Sequence, residues 1–164
     1  MSKLRPPPPS LLDKYRGRDF HPLYATSVTV HGGEAAHGRA SGIAASDDGE
    51  LFVNLRLPVE LGGSGGGTNP EQLFAAGYAA CFHGALSMLA ERAGLSIPDA
   101  SVTATITFGR DPVDGLFALQ AEINIHLPDM SREVAEALVR NTERLCPYSK
   151  MTQDGIPSIL GLTQ

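Results

Sequence analysis

The chain of 164 residues has no tryptophan, only two cysteines, no Cys-x-x-Cys pair and no excess of positive charge. So few cysteines offer neither a disulfide framework nor a zinc knuckle. The net charge is −5 and the basic residues are scattered, whereas phosphate binding needs a concentrated basic face. No apolar run approaches the roughly 18 residues of a membrane span. We therefore expect no nucleic-acid partner and no membrane partner.

The remaining composition is that of a globular protein, with 42% hydrophobic and 19% charged residues. The first residues lack the apolar segment of a secretory signal, so we expect a cytoplasmic location. The five histidines show no spacing that completes a Cys/His site, and we expect no bound metal. A small molecule is the expected ligand.

Proline and glycine divide the chain into segments. Four consecutive prolines, Pro6 to Pro9, cannot enter a helix or a central strand, which predicts an extended, proline-rich arm over residues 1–20. Residues 21–164 are predicted to form a single domain. The glycine-rich stretch 61–68 lacks the Gly-Lys-Ser/Thr of a phosphate-binding loop and is predicted to be a flexible connection.

Residue patterning predicts an α+β fold in which antiparallel sheets pack around two long helices. The first helix is predicted over 70–93, with Thr68 or Asn69 as its cap, and the second from Ser131 as cap to about Leu145. The predicted strands are 23–30, 39–45, 51–57, 102–108, 116–127 and 156–162.

Both cysteines belong to the predicted helices. Cys81 lies on a small-residue face of the first helix, and Cys146 ends the second helix, where Pro147 prevents continuation. One interpretation is that each thiol is an inert, buried hydrophobic group. The other is that tertiary packing brings the two thiols together for redox chemistry. His83 faces about 200° away from Cys81 around the helix, which makes it a poor base for a Cys-His hydrolase.

Two motifs carry a resemblance to a known family. Residues 69–82 read Asn-Pro-Glu-Gln-Leu-Phe-Ala-Ala-Gly-Tyr-Ala-Ala-Cys-Phe, and residues 145–149 read Leu-Cys-Pro-Tyr-Ser. The chain resembles the organic hydroperoxide resistance proteins, a branch of the family that includes the osmotically inducible protein C group. The resemblance runs from about residue 23 to the C-terminus, outside the arm. It implies an intertwined homodimer of the osmotically inducible protein C type, with active sites at the subunit interface.

The resemblance also implies an activity. It implies a thiol-dependent peroxidase that reduces alkyl and fatty-acid hydroperoxides to alcohols, with Cys81 as the peroxidatic and Cys146 as the resolving cysteine. The implied intermediates are a sulfenic acid and an intramolecular disulfide. No bound cofactor is implied; the implied reductant and partner is a dihydrolipoyl dithiol, either dihydrolipoamide or a lipoylated protein.

Two charged residues are assigned by the same resemblance. Gly38-Arg39 matches the family's Gly-Arg motif, which makes Arg39 the cation for the thiolate and the peroxide, and Glu71 matches the carboxylate that orients it. Without the resemblance, Arg39 is a solvated strand-end charge and Glu71 a helix N-terminal charge. A rise of about 1.5 Å per residue puts Glu71 about 15 Å along a continuous helix from Cys81. Arg39 must therefore bridge the two, or a second chain must contribute.

A bulky peroxide needs an apolar pocket. The candidate lining residues are Leu73, Phe74, Tyr78, Phe82 and Met88. Several of these must instead be ordinary core residues at their helical spacing.

The chain departs from the family pattern in two loops. Residues 150–155 replace the usual Asn-Ala-Thr-x-Gly-Asn, and Ala40-Ser41-Gly42 replaces the commoner Asp-Gly. Both changes can alter substrate choice or reductant docking. Two alternatives stay open: a non-catalytic redox-sensing or small-ligand-binding member of the same fold, and a structural member with inert thiols.

Overall fold

The computed structural model describes residues 4–34 and 41–164 and has the α+β composition predicted from the sequence. The strands are β1 (Val28–His31), β2 (Gly42–Ser46), β3 (Phe52–Leu55), β4 (Ser101–Arg110) and β5 (Phe117–His126). The α-helices are α1 (Pro70–Arg92), α2 (Arg132–Leu145) and α3 (Pro147–Asp154). Short 3-10 helices span Pro9–Leu11 and Val59–Leu61.

The first three strands form an antiparallel meander in the order β1-β2-β3, as predicted. The turn between β2 and β3 depends on Ser46, whose Oγ donates to Asp48 Oδ1 at 2.6 Å, and on Gly49, whose φ of 77° is left-handed. β1 is shorter than the predicted strand 23–30, and residues 39 and 40 of the second predicted strand lie outside the described residues.

The second sheet is the hairpin of β4 and β5, close to the predicted bounds. Its connection closes where the backbone N–H of Asp111 donates to the carbonyl of Leu116 at 2.8 Å. Gly115, with φ at 76°, supplies the left-handed position of this turn.

The helix α1 begins and ends at the predicted signals. Asn69 Oδ1 accepts the backbone N–H of Gln72 at 2.9 Å, which is an N-cap bond, and Gly94 takes a left-handed φ of 68° just after the helix. By length and composition α1 could cross a membrane, so the statement that no apolar run approaches a span is wrong for this helix. The alanines and glycines of α1 contribute to its apolar composition. A helix that packs in the core of a protein can have the same length and apolar composition as a membrane-spanning helix.

The C-terminal third contains one confirmed and one wrong prediction. α2 follows the predicted second helix, and Val134 and Leu138 on its apolar stripe are buried. The predicted last strand is wrong: residues 155–164 form no strand, and α3 precedes them. Pro147 stops α2 but occupies the first position of α3, where its missing N–H costs nothing.

The chain divides into two compact units. One, here called the helical unit, comprises Met1–Lys14, Ala76–Thr105 and Ala121–Gln164. The other, the sheet unit, comprises Tyr15–Ala75 and Ile106–Gln120. The helical unit holds the main apolar core, whose buried members are Leu12, Leu86, Leu89, Ala90, Leu95, Val134 and Leu138.

Part of the proline-rich segment packs on the helical unit. Leu12 is 6% exposed and belongs to the core cluster. The buried Asn141 donates through Nδ2 to the carbonyl of Pro7 at 2.8 Å, and Arg92 Nη1 donates to the carbonyl of Leu11 at 3.1 Å. These bonds satisfy backbone carbonyls that a proline-rich segment cannot pair within itself. Residues 7–12 are therefore part of the helical unit.

Candidate active site

The two thiols meet inside the helical unit. Cys146 Sγ lies 3.5 Å from Cys81 Sγ, and both cysteines are free. Cys146 is 1% exposed, whereas Cys81 is half-buried. The structure therefore supports the interpretation in which packing brings the thiols together, and it leaves Cys81 as the more accessible one.

Cys146 is held at a junction of two helices. Its backbone N–H donates to the carbonyl of Thr142 at 2.9 Å, which completes the last turn of α2. Its own carbonyl accepts the N–H of Lys150 at 3.2 Å, which begins α3. Hydrogen bonds on both sides fix the Cys146 backbone, and the side chain projects toward α1.

The first turn of α3 packs on α1 beside the thiols. The rings of Tyr78 and Tyr148 stack with centroids 5.8 Å apart, and the Tyr78 hydroxyl lies 3.2 Å from Oγ of the buried Ser149. Sequence reasoning missed this contact because it missed α3. The available signal was Pro147 directly after Cys146, since proline favours the first helical position as well as ending a helix.

The electrostatics of Cys81 are dominated by its burial. Desolvation raises the pKa of the Cys81 thiol, because burial disfavours the charged thiolate. The backbone N–H of Tyr148 donates to the sulfur and lowers the pKa, while the neighbouring Cys146 thiol raises it further. The net pKa is above its ordinary value. Within residues 4–34 and 41–164, the causes of this balance include no basic side chain.

Of the two charged residues expected at the site, the structure describes Glu71. Arg39 lies outside the described residues. Glu71 is half-buried in the first turn of α1, where it borders a cavity of about 190 Å³ lined mainly by Phe108, Phe117 and Leu119 of the sheet unit. α1 is continuous from Pro70 to Arg92. The estimate of about 15 Å between Glu71 and Cys81 along the helix axis assumed such a continuous helix. The roles of Arg39 and Glu71 stay predictions.

The expected pocket residues differ in exposure. Tyr78 and Phe82 are 6% and 3% exposed, Met88 is 38% exposed, and Leu73 and Phe74 are half-buried. The Tyr78 hydroxyl also lies 3.4 Å from Thr152 Oγ1, so its polar end contacts α3. The role of these residues in substrate binding stays a prediction.

The described part of the chain contains no group of three or more His, Cys, Asp or Glu side chains placed to hold a metal ion.

Comparison with known proteins places these thiols in a family context. The family profile of the OsmC-like proteins matches residues 63–160. An organic hydroperoxide resistance protein of Xanthomonas axonopodis pv. citri is 41% identical over 142 residues, which cover 85% of this chain and 94% of the relative.

Two solved structures are similar in fold and sequence. The crystal structure of an organic hydroperoxide resistance protein from Legionella pneumophila has a TM-score of 0.72 and 40% identity, covering 82% of this chain and 93% of that chain. The organic hydroperoxide resistance protein OhrB of Bacillus subtilis has a TM-score of 0.69 and 38% identity, covering 81% and 93%.

Proposed function

Because this chain belongs to the OsmC-like protein family and its relatives include organic hydroperoxide resistance proteins, we propose that it is a thiol peroxidase that reduces organic hydroperoxides to alcohols. The observation that carries the proposal is the 3.5 Å separation of Cys146 Sγ and Cys81 Sγ. Two thiols at this distance can form a disulfide after a small movement of their side chains. Two cysteines that serve only as core residues would have no need to lie so close together.

In the first step, the Cys81 thiolate attacks the terminal oxygen of the hydroperoxide. The sulfur supplies the electron pair, the O–O bond breaks, and the alkoxide leaves as an alcohol after taking up a proton. Cys81 becomes a sulfenic acid. We assign this role to Cys81 rather than to Cys146, because Cys81 is half-buried and Cys146 is 1% exposed.

In the second step, the Cys146 sulfur attacks the sulfenic sulfur of Cys81. A disulfide forms and the sulfenic oxygen leaves as water. The burial of Cys146 suits this role, since a resolving thiol needs to reach only the neighbouring sulfur. Rapid disulfide formation also protects Cys81 from further oxidation to the sulfinic acid.

Thiolate formation at Cys81 requires a cation, because burial raises the pKa of its thiol. We propose that Arg39 supplies the positive charge and that Glu71 orients the guanidinium through a bidentate pair. An arginine suits this position because it stays charged when partly buried and also donates to the leaving oxygen.

The disulfide is reset by a dithiol. We propose a dihydrolipoyl group, free or on a lipoylated protein, which forms a mixed disulfide and then closes its own ring, returning both protein thiols. The attacked sulfur is that of Cys81, since Cys146 is 1% exposed. A cytoplasmic location is proposed with it, because that compartment keeps thiols reduced.

We also propose that the protein works as a homodimer. α1 exposes the small residues Ala76, Ala80 and Gly84 at helical spacing. Large apolar side chains are also exposed in the single chain, among them Val28, Val30, Phe52, Ile156, Ile159, Leu160 and Leu162. Exposed apolar surface of this extent marks an interface. We propose that a second copy of the chain covers it.

The substrate pocket is proposed to be apolar and to open at Cys81. Phe74, Tyr78, Phe82 and Met88 are the proposed lining residues, which favours alkyl and fatty-acid hydroperoxides over hydrogen peroxide. Met88 is the most exposed member of this set.

Steady-state turnover tests the proposal. The purified protein is given tert-butyl and fatty-acid hydroperoxides with dihydrolipoamide, thioredoxin or glutathione as the reductant. Turnover with dihydrolipoamide that disappears in Cys81→Ser is expected. Stoichiometric oxidation without turnover under every reductant would instead support a redox-sensing or ligand-binding role.

A further inference from the structure

Gly77 of α1 lies against the hydroxyl end of the Tyr148 ring. A Cβ built on Gly77 would lie 2.8 Å from Tyr148 Oη and 3.2 Å from Tyr148 Cζ. Both distances are shorter than ordinary carbon contacts. Any side chain at Gly77 would therefore push the Tyr148 ring away from α1.

The Tyr148 ring is restrained by neighbouring side chains. It stacks on Tyr78, with centroids 5.8 Å apart and planes at 29°. Tyr78 is buried, and its hydroxyl contacts Oγ of Ser149, the next residue of α3, at 3.2 Å. The ring cannot move aside without disturbing the contacts of the first turn of α3.

The N-terminal end of α3 holds the two groups that act on Cys81, namely the Tyr148 backbone and the Cys146 thiol. A hydrogen bond from the backbone of Tyr148, the second residue of α3, lowers the pKa of the Cys81 thiol. Cys146, immediately before α3, places its sulfur 3.5 Å from Cys81 Sγ. Both groups follow the position of the Tyr148 backbone.

We propose that Gly77 and the Tyr148 ring are positioning residues, which seat the first turn of α3 on α1 so that the Tyr148 N–H and Cys146 Sγ both reach the Cys81 sulfur. This role rests on the proposed function, because it concerns the same two thiols. The bare surface of Gly77 is required by the close approach of the ring and not by a left-handed backbone.

The Cys81 sulfur has a small set of ionisable neighbours. The described group that faces it is the Cys146 thiol, from the α2–α3 junction. His83 is exposed on another face of α1, Glu71 lies ten residues earlier on the same helix, and Arg39 lies outside the described residues. Moving the first turn of α3 therefore removes the N–H donor that lowers the pKa of Cys81, and it also draws away the Cys146 thiol, whose individually smaller influences raise that pKa.

The test measures Cys81 reactivity without turnover. Cys81 is alkylated with iodoacetamide across pH, with the modified site identified by peptide mass spectrometry, in wild type, Gly77→Ala, Tyr148→Phe and Gly77→Ala/Tyr148→Phe. Tyr148→Phe removes the atom that a Gly77 methyl would meet first. A second readout is the rate at which one equivalent of tert-butyl hydroperoxide produces the Cys81–Cys146 disulfide.

We expect the Gly77→Ala curve to move to higher pH, with Cys81 alkylated about tenfold more slowly at pH 7, as for the loss of one hydrogen bond to a charged group. Disulfide formation should slow as well. Gly77→Ala/Tyr148→Phe should recover most of both losses, whereas a general effect of alanine on α1 would persist in the double variant. If Gly77→Ala does not fold, Tyr148→Ala is expected to produce the same shift by removing the ring.

Curves for Gly77→Ala that coincide with wild type, or losses that Tyr148→Phe does not relieve, would overturn the positioning role. For Tyr148→Ala, an unchanged alkylation curve would do so. Failure of the proposed function is separate, because it appears as absent turnover in wild type, while alkylation of Cys81 is measured in the absence of peroxide.

Discussion

Cys146 Sγ lies 3.5 Å from Cys81 Sγ across a sequence separation of 65 residues, and the two differ sharply in accessibility. Cys146 is sealed at the α2–α3 junction, while Cys81 remains half-buried on α1. The accessible Cys81 thiol can contact a substrate, whereas the buried Cys146 thiol can react only with Cys81. This asymmetry is the structural basis for assigning different roles to the two cysteines.

Removing each thiol should therefore have a different effect. Cys81→Ser should abolish peroxide reduction, because no other described thiol is accessible. Cys146→Ser should still consume about one equivalent of peroxide and stop at a Cys81 sulfenic acid, since no disulfide can form. Peroxide consumption and trapping of the sulfenic acid with dimedone measure both outcomes. Wild-type turnover by Cys146→Ser with dihydrolipoamide would contradict the assignment.

Arg39 should control the pH dependence of the reaction. Burial holds the pKa of the Cys81 thiol above its ordinary value, so without a cation the thiolate appears only at higher pH. Arg39→Met should move the profile of kcat/KM for peroxide to higher pH and lower it at least about tenfold at pH 7, which is the factor for one pKa unit.

The control for this prediction is Arg132→Met, whose exposed side chain pairs with Glu136 on the first turns of α2. It removes one positive charge without touching the thiols and should leave the profile unchanged. Equal shifts in Arg39→Met and Arg132→Met would show a general charge effect and would contradict the role of Arg39.

The proline-rich segment should contribute to stability. Leu12 is 6% exposed in the core cluster, so Leu12→Ala should lower the free energy of unfolding by about 2–5 kcal/mol. Leu4, in the same segment, is 47% exposed, and Leu4→Ala should change stability by less than about 0.5 kcal/mol. Urea unfolding followed by circular dichroism measures both. Equal values for the two variants would mean that the segment does not pack in solution.

The exposed face of α1 should be an interface. Sedimentation equilibrium should give about twice the chain mass of 17.3 kDa. Ala80→Glu places a charge on that face and should shift the mass toward a single chain, because burying an unpaired carboxylate is costly. Glu133→Lys, on an exposed position of α2, is the control. A monomeric wild type at micromolar concentration would refute the proposed dimer.

Local signals predicted most of the fold. α1 could be predicted from Asn69, Pro70 and Gly94, because capping and turn chemistry act over a few residues. The antiparallel meander followed from alternation and from the turn at Ser46 to Gly49. The predicted strand over 156–162 was wrong because apolar, β-branched composition needs a pairing partner, which no local pattern reveals.

The candidate site could be predicted only in part. The motifs predict the roles of Cys81 and Cys146, but the close approach of the two thiols depends on how α1 packs against the junction of α2 and α3. Pro147 signals the end of α2 and, equally, the start of α3. The contact of Tyr148 with Gly77 is equally invisible in the sequence, since it depends on how two helices pack. The motifs therefore predict which residues belong to the site, and the packing of the helices determines the contacts between them.

The most direct test of the account is the product that one equivalent of tert-butyl hydroperoxide forms in the fully reduced wild-type protein. Intact mass and non-reducing peptide maps identify that product. The account predicts a mass lower by two hydrogen atoms and a peptide pair joined by a Cys81–Cys146 disulfide within one chain, restored to two thiols by dihydrolipoamide. An unmodified protein, or a Cys81 sulfinic acid with Cys146 still a free thiol, would contradict it.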